Sequence, residues 1–334
     1  MTSEETYGGT VSLLHRTQHG LKNVHLIKQE TVFCFTDTAP RLAVKDGKLL
    51  RKPHGHGDVH SLLHNAVEQK SGRRLLELWL EQGLEYIVFL QDTNAAATLT
   101  VPVSLAISAQ YSMAMNFTCI PRQPKEAVGL LCSVQKRASG TAQTMNIEYN
   151  KFEEVARRLT AYGGDSAACG STYSPFPGSV NTLILNFPEY VKVIERSGGR
   201  LPEFINPKFI DEAKSSFKPC RVESLMQDVA LLFEQNCQPV GATLFSRFTF
   251  QPVKNALPDA IQKLKDGLAA YCATTGERDY YETVRLRMMA AGLKLPSHPS
   301  CARECNAGSC STSAGGGGIE DKFDLVVGGV IKAQ

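Results

Sequence analysis

The 334-residue sequence has no apolar stretch approaching the roughly 18 residues that a membrane-spanning helix requires. It also lacks charge of one sign: 36 Lys and Arg against 33 Asp and Glu leave a net +3, with no like-charged run. A phosphate-backbone footprint needs such a run, so nucleic-acid partners are not expected. No Gly-x-Ser-x-Gly elbow occurs and no cysteine lies in a Cys/His signature, which excludes those forms of nucleophilic catalysis. None of the ten cysteines forms a Cys-x-x-Cys pair, and seven stand singly in apolar or loop sequence. Met1-Thr2-Ser3-Glu4-Glu5-Thr6 is polar and acidic rather than an apolar signal core. The expectation is a cytoplasmic protein with reduced thiols and no membrane partner.

What is present is the composition of a folded domain, 43% hydrophobic and 21% charged. Short β-rich runs alternate with helical patterns from residue 1 to about residue 293, which reads as α/β layering. At Lys294 the character changes. Leu295-Pro296-Ser297-His298-Pro299-Ser300 leads into a cysteine-, serine- and alanine-rich stretch and four glycines, Gly315 to Gly318. That composition marks 294–334 as a disordered tail, with at most one short strand within 323–331 and nothing nearby to pair with it. His298, Cys301, Cys305 and Cys310 lack the paired spacing of a zinc site.

Within the body, Asp58 stands where it can cap a helix carrying Val59, Leu62, Leu63, Ala66 and Val67 on one face. A second helix through Leu75, Leu76, Leu78 and Leu80 ends near Gly83. Tyr86-Ile87-Val88-Phe89-Leu90 is a continuous apolar run, as expected of a strand covered on both faces. Further strands are expected at 112–120, 127–134, 143–149, 181–186 and 241–250, and helices at 151–162, 187–197, 221–235, 257–273 and 276–292.

Several residues carry candidate chemistry, each beside a plainer role. The Tyr86–Leu90 run stops at Gln91-Asp92-Thr93-Asn94, and ligands gather at the carboxyl ends of strands in open α/β sheets. Asp92 there either holds magnesium together with substrate phosphates or closes an Asx turn. Gly55 and Gly57 either let backbone N–H groups approach an anion or turn the chain into the helix. His56, His60 and His64 have zinc-compatible spacing, but no catalytic glutamate lies between them and His56 precedes the helix proper, so no metal is expected there. Glu148 either accepts hydrogen bonds from sugar hydroxyls or caps the helix that follows. Lys254 either neutralises a phosphate or is an ordinary surface lysine.

Eight segments then occur in one order: KPHGHGDVHSLL (52–63), FLQDTN (89–94), PKEAVG (124–129), NIEYN (146–150), SPFPGSVNTLIL (174–185), EFINPKF (203–209), RVESLMQD (221–228) and QPVKN (251–255). The series resembles the UDP-sugar pyrophosphorylases, relatives of the UDP-glucose and UDP-N-acetylhexosamine pyrophosphorylases, over about residues 1–293. The resemblance implies a glycosyltransferase-A-like nucleotidyltransferase: an α/β protein with a mixed, mostly parallel sheet and helices on both faces. It implies a monomeric uridylyltransferase that interconverts UTP and a sugar 1-phosphate with UDP-sugar and pyrophosphate, using Mg2+. By the same resemblance Gln29 reads uracil, and Gly55 and His56 belong to the turn that holds the ring. Asp92 and Asn94 stand near ribose and metal, and Gly129, Glu148 and Asn181 line the sugar pocket. Lys254 contacts the phosphates, with Glu223 supporting it.

Two departures accompany the match. The family's glycine-rich triphosphate loop precedes the segment matching Met1-Thr2-Ser3 and is absent, so residues 1–293 read as a catalytic domain lacking its N-terminal unit. The tail stands where the family has a β-rich C-terminal domain. The rival reading is a UDP-sugar-binding relative without catalysis.

Overall fold

A computed structural model describes residues 1–17, 23–135, 142–207, 209–211, 213, 215–235 and 237–295, together with Leu325–Val326. The main sheet runs in the order Leu325–Val326, Val240–Leu244, Met115–Ile120, Gly178–Asn186, Leu130–Gln135, Ala142–Ile147, and Tyr86–Phe89 also pairs with Gly178–Asn186. The sheet is mixed, as expected, but the balance of directions is corrected. Val240–Leu244 beside Met115–Ile120 is the one parallel ladder among the described strands, and the other ladders of this sheet are antiparallel. An apolar run has the same pattern whichever way it enters a sheet, so strand direction was not encoded locally. Leu325–Val326 finds a partner after all, on Ala242–Thr243. The rest of 296–334 lies outside the described residues, including the four candidate zinc ligands.

Alternation along Met115–Ile120 divides the molecule. Met115, Phe117 and Cys119 join Leu183, Leu185, Phe187, Tyr190, Ile194 and Phe233 in the largest apolar cluster, beneath the helices Asp58–Asn65, Leu75–Glu81, Phe187–Ser197 and Val229–Gln235. On the other face Asn116 donates to the Ser104 carbonyl (3.2 Å) and the Ser108 hydroxyl (3.1 Å) of helix Ala97–Gln110. That helix turns its small polar residues inward and leaves Leu99 and Val103 exposed. It contains Pro102 and has apolar residues on every side, so no 3.6-residue periodicity announced it.

Helix Phe187–Ser197 sits where expected, entered through the Asn186 side-chain cap and left through Gly198 at φ +64. The segment expected as one helix over 221–235 is instead the end of strand Ser216–Ser224, a short turn, and helix Val229–Gln235. Likewise 257–273 stops at Lys265. Ser216–Ser224 belongs to a second, four-stranded sheet in the order Glu203–Ile205, Ser216–Ser224, Thr31–Asp37, Arg51–Pro53. This sheet presents the 54–57 turn to Ser224.

Candidate functional site: a cleft at a fork in the sheet

The cleft opens where strand Gly178–Asn186 changes partner along one edge. Leu183 to Asn186 pair with Tyr86–Phe89, and Gly178 pairs with Leu130. On the opposite edge Phe117 pairs with Leu183 and Cys119 with Ser179, so Val180, Asn181 and Thr182 bulge against Thr118 alone. Asn181 takes φ +54 in this bulge, a left-handed conformation that asparagine tolerates and β-branched residues do not. The cavity volume is about 120 Å³, and its lining includes Gln91, Thr93, Gly129, Asn146, Glu148, Asn181 and Lys254. A Cβ at Gly129 would stand 2.8 Å from Asn146 Nδ2, so glycine there keeps the wall open.

The lining is polar and partly unsatisfied. Asn146 Oδ1 and Asn181 Oδ1 are buried without a hydrogen-bond partner; buried acceptors of this kind are completed by water or a hydroxyl-bearing ligand. Glu148 occupies the cap position of helix Tyr149–Leu159, but its side chain makes no cap bond. It accepts instead from Asn146 Nδ2 at 3.2 Å. Burial pushes its carboxyl above the usual range, Asn146 and Lys254 oppose the shift, and Glu223 reinforces it. Glu223 itself is paired with Arg221 at 2.7 Å. Lys254 lines the open side: solvent reaches the residue, yet its crowded surroundings lower its pKa, with Glu148 and Glu126 pulling it back.

One carboxyl escaped the sequence reading. Asp228, at the end of RVESLMQD, is pushed up to about 7 by burial and by the charge of Glu148. Its only signal in the sequence is its place in the RVESLMQD segment. Asn146 in NIEYN and Ser179 in SPFPGSVNTLIL likewise carry no individual signal.

The remaining candidates are dispersed. Asn94 reaches the cleft, but its amide is engaged: Oδ1 accepts from Ala96 N (3.2 Å) and Gln251 N (2.9 Å), and Nδ2 donates to the Thr249 carbonyl (3.3 Å). It ties the 91–96 turn to the strand-to-helix segment carrying Lys254. Asp92 is exposed on the same turn. Gly55 and Gly57 press on Ser224, where an added Cβ would come within 2.5 Å and 2.6 Å, so both glycines are required by packing. Gly57 N also donates to the Ser224 carbonyl at 3.0 Å. Gly57, not Asp58, is the cap residue, and Asp58 is drawn to His54 Nδ1 at 2.6 Å. His56 Nδ1 accepts from Met226 N at 2.9 Å. Burial and nearby Arg221 lower its pKa to about 4, so its other ring nitrogen carries the proton and can donate. Gln29 stands apart, its backbone N–H on the Thr2 carbonyl at 2.8 Å and its Oε1 buried without a partner.

The three histidines at helical spacing go three ways. His60 is a core residue whose Nε2 donates to the Met226 carbonyl at 2.9 Å, while Nδ1 accepts from Tyr190 Oη at 2.9 Å. His64 sits against Arg74. No group of three or more His, Cys, Asp or Glu able to hold a metal occurs among the described residues. Magnesium, however, is commonly held by one or two carboxylates plus substrate phosphates, and the exposed carboxylate of Asp92 at the cleft rim suits that donor set.

A mixed sheet forked over a polar cleft, with helices on both faces, is the nucleotidyltransferase-like α/β fold of the nucleotide-sugar pyrophosphorylases. Among solved structures, the UDP-N-acetylglucosamine pyrophosphorylase of Trypanosoma brucei aligns with TM-score 0.62 and 18% identity, over 87% of this chain and 55% of that one. A UDP-glucose pyrophosphorylase variant from Leishmania major gives 0.54 and 21%, over 75% and 52%. These likenesses speak for the fold.

By sequence the chain is a relative of the UDP-sugar pyrophosphorylases. It is 38% identical over 303 residues to the one from Arabidopsis thaliana and 36% identical to that of Oryza sativa subsp. japonica, in both cases over 88% of its length. It spans about half the length of these relatives, 48% and 47%. No family model matches. No helix among the described residues is long and apolar enough to cross a membrane.

Proposed function

We propose that the chain carries the sugar-nucleotide cleft of a uridylyltransferase that interconverts UTP and a sugar 1-phosphate with UDP-sugar and pyrophosphate. A phosphate oxygen of the sugar 1-phosphate attacks the α-phosphorus of UTP, a new P–O bond forms, and the bond to the β-phosphate breaks to release pyrophosphate. The residues present suit positioning and charge neutralisation rather than covalent catalysis. Glu148, Asn146, Asn181 and the wall at Gly129 hold the sugar hydroxyls. Lys254 neutralises a phosphate. His56 donates from its free ring nitrogen to the uracil side, with Gln29 further out, and Glu223 supports the phosphate site of Lys254. Asp92 would hold Mg2+, which when bound neutralises phosphate charge. The partners are small molecules, namely UTP, sugar 1-phosphates, UDP-sugars and pyrophosphate, and the compartment is the cytoplasm.

The observation that supports this reading is the pair of unpartnered buried amide oxygens, Asn146 Oδ1 and Asn181 Oδ1, in one cleft with Glu148 and Lys254. Calorimetric titration with UDP-glucose and UMP, followed by an assay for UTP formed from UDP-glucose and pyrophosphate, tests it. Expected is tighter binding of UDP-glucose than of UMP. Absence of UDP-glucose binding by monodisperse protein would overturn the proposal, and binding without turnover would leave a binder in place of the enzyme.

A further inference from the structure

Tyr271 lies between the helices Leu257–Lys265 and Ala273–Ala290, in a stretch that bears no motif. Three of its groups converge on the cleft. Its backbone is held at φ +45, a strained conformation for an aromatic residue. There its carbonyl accepts from the N–H groups of both Lys254 (2.7 Å) and Asn255 (2.9 Å). Its ring packs edge-on against Phe250 at 5.9 Å. The Lys254 ammonium lies over both faces, 5.4 Å from the Phe250 centroid and 5.9 Å from that of Tyr271, within cation–π range. Its hydroxyl donates to Glu126 Oε1 at 2.6 Å. Glu126 is also gripped by Arg247 and begins the segment that continues into the cleft wall Ala127–Gly129.

We propose that Tyr271 is a positioning residue: it fixes the ammonium of Lys254 relative to the Ala127–Gly129 wall, and so sets where a phosphate meets a sugar in the cleft. The inference rests on the reading of Lys254 as the phosphate-contacting side chain. Backbone bonds from Lys254 and Asn255 set the height of the lysine, the two rings set its direction, and the phenol ties both to the opposite wall. Burial and the adjacent Glu126 raise the phenol pKa, so the group remains an O–H donor.

The test uses the whole chain, with Tyr271→Phe, Tyr271→Leu and Glu126→Gln. Lysines are labelled by reductive 13C-methylation, and the Lys254 signal is identified by its loss in Lys254→Arg. Ring currents of Phe250 and Tyr271 shift that signal upfield in the wild type; the shift is retained in Tyr271→Phe and reduced in Tyr271→Leu, where the Phe250 ring alone remains. An unchanged signal in Tyr271→Leu overturns the proposal. In parallel, UDP-glucose and uridine affinities are compared. Tyr271→Phe loses one hydrogen bond to a charged group and is expected to weaken UDP-glucose roughly tenfold while leaving uridine unchanged, and the effect is smaller in the Glu126→Gln background, where the acceptor is neutral. Equal weakening of both ligands marks a merely structural role and also overturns it. If the wild type binds no UDP-glucose, the functional reading fails, and the Lys254 resonance alone decides whether Tyr271 places the lysine. Should Tyr271→Leu fail to fold, Tyr271→Phe decides through the two affinities.

Discussion

Arg122 holds Asp165 with two parallel hydrogen bonds of 2.8 Å, and the two side chains are 0% and 2% exposed. The pair lies directly behind the cleft wall. Arg122 also donates to the carbonyls of Val128 (3.0 Å) and Glu126 (2.9 Å), and Asp165 accepts from Lys125 N at 2.8 Å. A buried ion pair is a poor source of net stability but costly to break, because the survivor is left uncompensated. Arg122→Met and Asp165→Leu should each destabilise by about 3–5 kcal/mol, and the double variant by less than their sum. Urea unfolding of the three variants checks this. Strict additivity would mean that the two side chains do not act as a pair.

The stability contributions of Asp228 and of two histidines run in opposite directions with pH. The folded pKa of Asp228 rises from 3.8 to about 7, so the folded state holds this proton more tightly than the unfolded chain. The associated stability is full below pH 3.8 and is lost as pH rises to about 7. His56 and His60 run the other way: their folded pKa values fall from 6.5 to about 4, so their contribution is present above pH 6.5 and is lost as pH falls towards 4. Asp228→Asn should therefore stabilise the protein at pH 8, by up to about 1.4 kcal/mol for each unit of the window, and should leave a steeper loss in acid. Unfolding midpoints of the wild type and Asp228→Asn, compared from pH 4 to 8, decide it. Parallel curves would mean that Asp228 titrates normally.

The turn at 54–57 is sensitive for a reason that is not catalytic. Gly55 has φ +148 and faces the Ser224 carbonyl, 2.5 Å from where a Cβ would be, whereas Gly198 at φ +64 has nothing within 4 Å. Gly198→Ala should cost only the left-handed backbone penalty of about 1–2 kcal/mol. Gly55→Ala should cost more and also displace His56. Thermal unfolding of both variants tests the ranking, and equal losses would contradict it.

The two sides of the cleft should separate by ligand. Lys254→Ala should abolish turnover, measured in a form of the protein that turns over, while UDP-sugar binding survives in part. Asn181→Gly keeps the backbone of the bulge and removes only the amide, so it should weaken UDP-glucose more than UMP. Unchanged turnover in the first variant would remove the phosphate role of Lys254. Equal losses of UDP-glucose and UMP in the second would remove the sugar role of Asn181.

Much of this was legible in the chain. Helix Phe187–Ser197 has the bounds expected from the sequence, and Leu75–Glu81 announced its exit through Gly83 at φ +75. The segments that carry Gly129, Glu148, Asn181 and Lys254 were recognisable, and those four residues do line one cleft. Helix Ala97–Gln110 was not legible, because it buries serine and threonine against Asn116 and Thr118 and turns apolar residues outward. Nor was the strand over 216–224, where a helix was expected to begin at 221.

The sequence by itself determined where most elements start and stop and which residue types stand at their ends, because capping, glycine conformation and apolar alternation act over a few residues. Only the tertiary structure decided strand direction, the fork that makes the cleft, and the parts played by Asn94, Asp228 and Tyr271. Each of those depends on groups far apart in the chain, such as Asn94 with Thr249 and Tyr271 with Glu126, and no local pattern records which distant atom a side chain will meet.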